Sequence, residues 1–213
     1  MKVTDVAKWF YKNNEQTKKN NKDGNVVMQK LCYYAQAMHI AVYGEPLFEE
    51  RIEAWENGPV VGEVYKLYRW YNLMLNRDTQ IDIDEKDELI LKVVNSVYGF
   101  KTAQELIEST HSEKPWKQYE SVSKDRNNNP EIKKEDLREY YSSLLDIYEA
   151  NKENDFENET MYKYLNCNFI YNKNNITDIS LYVDRLKEIA LQQVGAKSFN
   201  IYLEEGNELV IYD

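Results

Sequence analysis

Two carboxylates flank a tryptophan in the stretch EAWENGPV. Glu53 stands two residues before Trp55, and Glu56 directly follows it. Paired carboxylates at short separation are the raw material of general acid–base catalysis. The preceding residues, EERIEAW (49–55), read as an extended strand, on which side chains three apart point to opposite faces. The two carboxylates are therefore read as surface charge. His39 falls within an apolar helical pattern as a packed or half-exposed helix residue. His111, in STHSEKPW, follows a helix end, where an imidazole can bond a terminal carbonyl, favour the dipole, or pair with a Glu as general base. Cys32 and Cys167 are far apart, without C-x-x-C spacing, and read as reduced, half-buried thiols. With 2 His and 2 Cys so dispersed, a structural zinc site is close to excluded, and no metal ligand set can be named. DIDEKDE (82–88) has the acidity of a calcium loop, but it lacks the mid-loop Gly and has Val93 at the twelfth position. A strand end running into an acidic helix start explains it better. There is no Gly-rich phosphate loop, no G-x-S-x-G elbow and no H-E-x-x-H. No nucleophile–base–orienter set emerges, so the expectation is a protein without catalysis and without a cofactor.

Composition points the same way. The chain has 213 residues, a net charge of −10, 42% hydrophobic and 30% charged residues. That suffices for one large domain with a packed core and a small appendage. Eighteen Tyr against 7 Gly and 4 Pro argue for long regular elements rather than a loop-rich sandwich. A global negative field opposes phosphate approach, so nucleic-acid binding is disfavoured. The N-terminal residues MKVTDVAKWF have no apolar core or cleavage pattern, and no stretch approaches 18 apolar residues; no membrane association and a cytoplasmic location are expected. The surplus of Tyr and Trp suits protein interfaces. In the pairs Tyr33/Tyr34 and Tyr140/Tyr141, one ring of each is expected to face outward or sideways.

Periodicity supplies the elements. A short helix is expected over 3–11, then a polar, solvated loop over 12–25. Asn25 is read as the cap of a helix carrying Val27, Leu31, Tyr34, Met38 and Val42, stopped by Gly44. After strand 49–55, Asn57–Gly58 supplies a turn and Pro59 the first turn of the next helix. TQIDID (79–84) reads as a short strand able to pair with 49–55. Asp84 caps a helix closed by Gly99, Thr102 and Glu105 form a capping box, and Pro115 starts a short helix bearing Trp116. Residues 123–132 read as a polar loop and 135–148 as one helix with Leu137, Tyr141, Leu144, Leu145 and Tyr148 inward. After a linker at 150–159 the period changes: 161–171 reads as one strand, Asp178 caps a helix, and FNIYL and ELVIY flank a hairpin turn. The expected organisation is a domain over 1–149, the linker, and a small β-α-β-β accessory unit over 160–213.

Four stretches in order then carry a resemblance: MQKLCYYAQ (28–36), YGEPLF (43–48), EAWENGPV (53–60) and THSEKPW (110–116). Together with IKKEDLREYY (132–141) they resemble the Panacea domain, the SocA-like antitoxin family also found in GepA-type phage-associated proteins, over residues 1 to about 148. The resemblance implies a mainly α fold: a helical domain with a short two-stranded β element, here followed by the small α+β unit. It also implies an antitoxin that neutralises a cognate toxin protein by direct binding; the alternatives are an adaptor that delivers the toxin to a protease and a DNA-binding regulator. Self-association is compatible with each. Leu31, Tyr34, Ala35, Trp55, Gly58, Pro59, Val60 and Pro115 are fold-signature positions under this resemblance. Gln29, Lys30, Tyr33, Gln36, His111 and Trp116 are its candidate partner-binding positions. Met28 and Cys32 depart from the family's leucine-rich pattern, and the tail lies outside it.

Overall fold

The structure is a computed structural model, and it describes residues 1–70, 81, 83–124, 129–204 and 206–212. Helix α1 (Val3–Asn13) leads into α2 (Lys22–Tyr43), around which the other helices gather. Helix α2 is capped by Asn21, whose side chain accepts from Gly24 N, not by Asn25; it ends at Gly44, whose φ of +74° is the left-handed conformation expected there. Val27, Met28, Leu31, Cys32, Ala35 and Met38 are at most 1% exposed. A helix buried on nearly every side marks the centre of a core rather than its rim. Tyr33 and Tyr34 are both buried, so neither faces outward, whereas Tyr140 is exposed and Tyr141 buried.

Strand β1 (Ile52–Trp55) turns through Glu56–Asn57 into β2 (Gly58–Val60), pairing Trp55 with Gly58. Pro59 is thus a strand residue, not a helix start; β2 is the sheet edge, where a missing N–H leaves no ladder bond unmade. The following helix, α3 (Gly62–Trp70), begins at Gly62. The other side of β1 is taken by β3 (Glu131–Ile132), in register Ile52 to Ile132, with Ala54 N bonding Pro130 O at 2.8 Å. Among the described residues the small sheet therefore has three strands, and part of the polar 123–132 stretch is strand. Half of the expected strand TQIDID, residues 79, 80 and 82, lies outside the described residues, and 81, 83 and 84 are not in a strand.

Helix α4 (Glu85–Tyr98) is capped by Asp84, and α5 (Ala103–Ser112) carries the expected Thr102–Glu105 capping box. Pro115 lies in the first turn of α6 (Lys114–Lys117). The region expected as one helix over 135–148 is broken into α7 (Lys134–Tyr140), a 3-10 turn Tyr141–Ser143, and α8 (Leu144–Asn151). Two consecutive serines, which compete for backbone partners, sit at the break. The change of phase leaves Leu145 40% exposed while Leu144 and Tyr148 stay inside.

The connector between α1 and α2 is not a solvated loop. Asn14, Gln16 and Thr17 are buried. Asn14 Nδ2 donates to Asn95 Oδ1 and Gly99 O, Gln16 Nε2 to Gly99 O and Lys101 O, and Thr17 Oγ1 to Phe10 O. Tyr68 of α3 donates its hydroxyl to Thr17 O at 2.7 Å.

The tail holds a four-stranded sheet, order β4-β5-β6-β7. Here MYKYLNCNFIY is a hairpin and not one strand: β4 (Glu159–Tyr164) and β5 (Cys167–Asn172) are joined at Leu165, which has φ +52° and is exposed. Asp178 caps a 3-10 turn (Ile179–Tyr182) leading into α9 (Val183–Gln192), which crosses over to β6 (Lys197–Leu203), parallel to β5. The hairpin to β7 (Leu209–Tyr212) completes a ββαββ order. Phe169, Leu186, Phe199, Ile201 and Leu209 make a second core. Cys32 and Cys167 are both free and buried.

The capping-box carboxylate ties the two cores together. Glu105 Oε2 accepts from Thr102 N at 2.7 Å and from Ser198 Oγ of β6 at 2.8 Å, and Oε1 accepts from Ser198 N at 2.5 Å. Glu105→Ala should therefore cost about 1–2 kcal/mol as a lost cap. It should also speed amide exchange at 197–199 together with that at 102–106, read by hydrogen-exchange mass spectrometry. Faster exchange confined to 102–106 would mean that Glu105 caps the helix without fixing the tail.

Candidate functional site

The polar residues of α2 are spent on the backbone of the loops it passes. Gln36 Oε1 accepts from Leu47 N (2.8 Å) and Phe48 N (3.1 Å), and its Nε2 donates to Phe48 O (2.8 Å). One amide thereby closes the account of a buried loop that has no strand to pair with. Gln29 accepts from Val61 N at 2.8 Å and donates to Asn25 Oδ1. Lys30 Nζ donates to Asn57 O at 2.6 Å and Pro59 O at 3.1 Å, holding both arms of the hairpin. His39 contacts Glu45 O through Nδ1 and Asp87 Oδ1 through Nε2. All four residues are at most 2% exposed.

The hairpin is clamped from its other side by α5 and α6. Trp116 Nε1 donates to Trp55 O at 2.9 Å, and the His111 ring stacks on Trp116 with centroids 3.7 Å apart and planes 6° apart. His111 Nε2 is buried without a hydrogen-bond partner. Burial, then the nearby Lys30 charge, lowers the imidazole pKa. The hairpin's tip fits so closely that a Cβ on Gly58 would stand 2.5 Å from Lys30 Nζ and 2.8 Å from Thr110 Oγ1.

Glu113, between α5 and α6, is the carboxylate of this interior. It accepts from Tyr34 Oη at 2.9 Å and from Tyr141 Oη, and Tyr141 Oη lies 3.0 Å from Tyr33 Oη. Tyr98 stacks on Tyr34 at 4.0 Å. Burial pushes Glu113 up to about 7, against the two tyrosine hydroxyls and the Lys30 charge, which lower it. Burial likewise brings Lys30 down to about 7, and Glu113 opposes it. Two buried charges of opposite sign are each drawn toward neutrality, as desolvation requires. A neutral Lys30 amine still has two N–H groups, one for each hairpin carbonyl.

Lys30 also lies at the floor of a cleft of about 770 Å³ between the start of α2, the β1–β2 hairpin and α3. Trp55 and Tyr65 pack at 4.9 Å on one wall, and Arg69 donates to Tyr65 Oη at 2.6 Å. Lys22, Asn21 and Asn25 line the helix-start side. Among the described residues, no group of three or more His, Cys, Asp or Glu could hold a metal ion, and no helix is long and apolar enough to cross a membrane.

Residues 28–117 match the family model described as antitoxin SocA-like, Panacea domain. Over those residues the N-terminal region is similar to the Panacea domain. The match begins at Met28 in α2 and ends at Lys117 in α6, inside the wider span of 1 to about 148 expected from the sequence. No curated protein and no solved structure matches the chain.

Within the matched segment the structure brings the motif residues together. Gln29, Lys30, Tyr33, Gln36 and Trp116 are buried with internal partners, and His111 is half-buried against Trp116. Leu31, Tyr34, Ala35, Pro115 and Val60 are also buried, Gly58 and Pro59 form the edge strand, and Trp55 is part-exposed in the cleft. Sequence reasoning missed Glu113 and Tyr141. Glu113 lies inside THSEKPW, so its place between His111 and Trp116 was the available signal. Arg69 and Tyr65 gave none beyond a helical pattern.

Two measurements test this geometry. Gly58→Ala should cost about 1–3 kcal/mol in backbone strain at φ +95°, plus the displacement of Lys30. Gly195→Ala, at φ +93° with nothing within 4 Å, carries the strain alone. Urea unfolding should rank Gly58→Ala as clearly the more damaging, and equal losses would mean that Lys30 yields freely. The second concerns pH. Glu113 has a folded pKa of about 7 against 4.5 for the free group, so its contribution is fully present below pH 4.5 and lost as pH rises through 7. The stability of the natural chain should fall relative to Glu113→Gln between pH 5 and 7; parallel curves would remove Glu113 from the titration.

Proposed function

We propose that this chain is an antitoxin, acting in the cytoplasm, that neutralises a cognate toxin by direct protein–protein binding and without catalysis. The observation that carries the reading is the match of residues 28–117 to an antitoxin family. The internal chemistry is compatible with it. The groups whose pKa values approach neutrality, Lys30 and Glu113, are committed to Asn57 O, Pro59 O, Tyr34 and Tyr141, so they serve as framework rather than as a free acid and base. On this reading Gln29, Lys30, Tyr33, Gln36, His111 and Trp116 act on a partner by positioning the hairpin and its cleft. The tail over 160–213 is an accessory unit that adds partner selectivity.

Co-expression with the neighbouring reading frame is the direct test, following growth and co-purification together. Rescue of growth with a stable complex is the expected result. Rescue without a complex, with toxin lost only when a protease is present, would replace neutralisation by delivery to that protease. A harmless neighbour with nothing co-purified would remove the antitoxin reading.

A further inference from the structure

The 770 Å³ cleft reverses the charge of the molecule around it. The chain has 37 Asp and Glu against 27 Lys and Arg. Among the described lining residues, however, Lys22 and Arg69 are exposed cations and only Glu56 is acidic, while Lys30 at the floor is buried and spent on the hairpin carbonyls. Lys22 and Arg69 are exposed, and neither has an acidic partner among the described residues. The start of α2 opens on the same side, adding the partial positive charge of a helix N-terminus to that of Lys22.

Most of the remaining lining is side-chain amide and aromatic ring, with Val26, Val60 and Ser123 between them. Asn20, Asn21, Asn25, Asn57 and Asn129 present groups that both donate and accept, the pairing a peptide backbone needs. Trp55 and Tyr65 form a tilted aromatic wall, and the Arg69 guanidinium lies 5.8 Å from the Tyr65 ring centroid and 5.1 Å from that of Trp70. Such a wall gives a large contact area at low entropic cost. The wall is preset: Trp55 Nε1 donates to Glu53 at 2.8 Å, its carbonyl is held by Trp116, and the turn beside it is held by Lys30.

We infer that this cleft is a recognition site for an acidic, extended peptide segment of a protein partner. Its carboxylates face Lys22 and Arg69, its backbone meets the asparagine amides, and one side chain packs on Trp55 and Tyr65. The inference rests on reading the chain as a partner-binding antitoxin and names the part of the partner that is held. It places the first contact on a cationic concavity of an acidic chain, which also excludes basic segments by like-charge cost.

The test uses the full chain and needs no toxin. A display library of random twelve-residue peptides is panned on the natural protein, and the enriched peptides are measured by fluorescence anisotropy against the natural chain, Lys22→Glu/Arg69→Glu and Trp55→Ala. The expected outcome is net-negative peptides whose affinity falls at least tenfold in the charge-reversed variant and in Trp55→Ala. Thermal unfolding of the charge-reversed variant should be unchanged, since both positions are exposed. Enrichment of neutral or basic peptides, no enrichment, or undiminished affinity in the charge-reversed variant overturns the inference. So does tight binding of ATP or an oligothymidylate that acidic peptides fail to displace, which would make the cleft a nucleotide site. Acidic peptides captured by a chain that fails to rescue growth would sink the antitoxin reading and leave the cleft standing. Rescue with an unaltered toxin complex in Lys22→Glu/Arg69→Glu would do the reverse.

Discussion

Buried backbone groups without a ladder partner are the constraint around which this fold is arranged. Leu47–Phe48 and the inner face of the β1–β2 hairpin press against α2, where water cannot satisfy their N–H and C=O groups. An unpaired group there costs about 1–3 kcal/mol. Helix α2 meets the demand with side chains: Gln36 for Leu47 and Phe48, Gln29 for Val61, Lys30 for Asn57 and Pro59. A wholly apolar helix would pack as tightly and leave these loops unanchored. The polar letters of the motif are therefore the means by which one helix dictates the course of chain far from it in sequence.

Lys30 and Glu113 show the same economy under stress. Neither is easily kept charged at its depth, and each is stabilised by neutral dipoles: two carbonyls for the amine, two phenols for the carboxyl. The consequence is a hairpin held by geometry more than by charge. Its outward edge, with Trp55 and the cleft, is presented to solvent on a rigid mount. That division between a closed polar interior and an open aromatic wall links the fold to the binding role proposed for it.

Legibility followed the range of the signals. Local chemistry was readable: Asp84 and the Thr102–Glu105 box as caps, Gly44 and Gly58 as left-handed positions, Pro115 as a helix opener. The error at Pro59 came from a residue equally at home on an edge strand, where only the partner strand decides. The α7–α8 break has no Gly or Pro to announce it, and the turn at Leu165 uses a left-handed leucine that no turn rule would select. For the candidate site, motif membership singled out Gln29, Lys30 and Gln36, but polarity suggested outward contact. Burial is a tertiary fact that a period of three and four cannot report when a helix is covered on every side. Glu105 was legible as a cap, yet its second role at Ser198 depends on a strand 93 residues away.

The connector from Asn14 to Asn21 reads as an ideal target for trypsin, with Lys18 and Lys19 in a run of polar residues. A protease must draw some ten residues of chain into an extended form to cut. Here Asn14, Gln16 and Thr17 are drawn inward to the ends of α1 and α4, the lysine N–H groups bond back to Glu15 O and Gln16 O, and Tyr68 closes over Thr17 O and Lys19 O. Extending that stretch means breaking into the core. Cutting at Lys18 or Lys19 therefore requires local unfolding of the core, and the basic residues of the stretch do not by themselves make it a cleavage site.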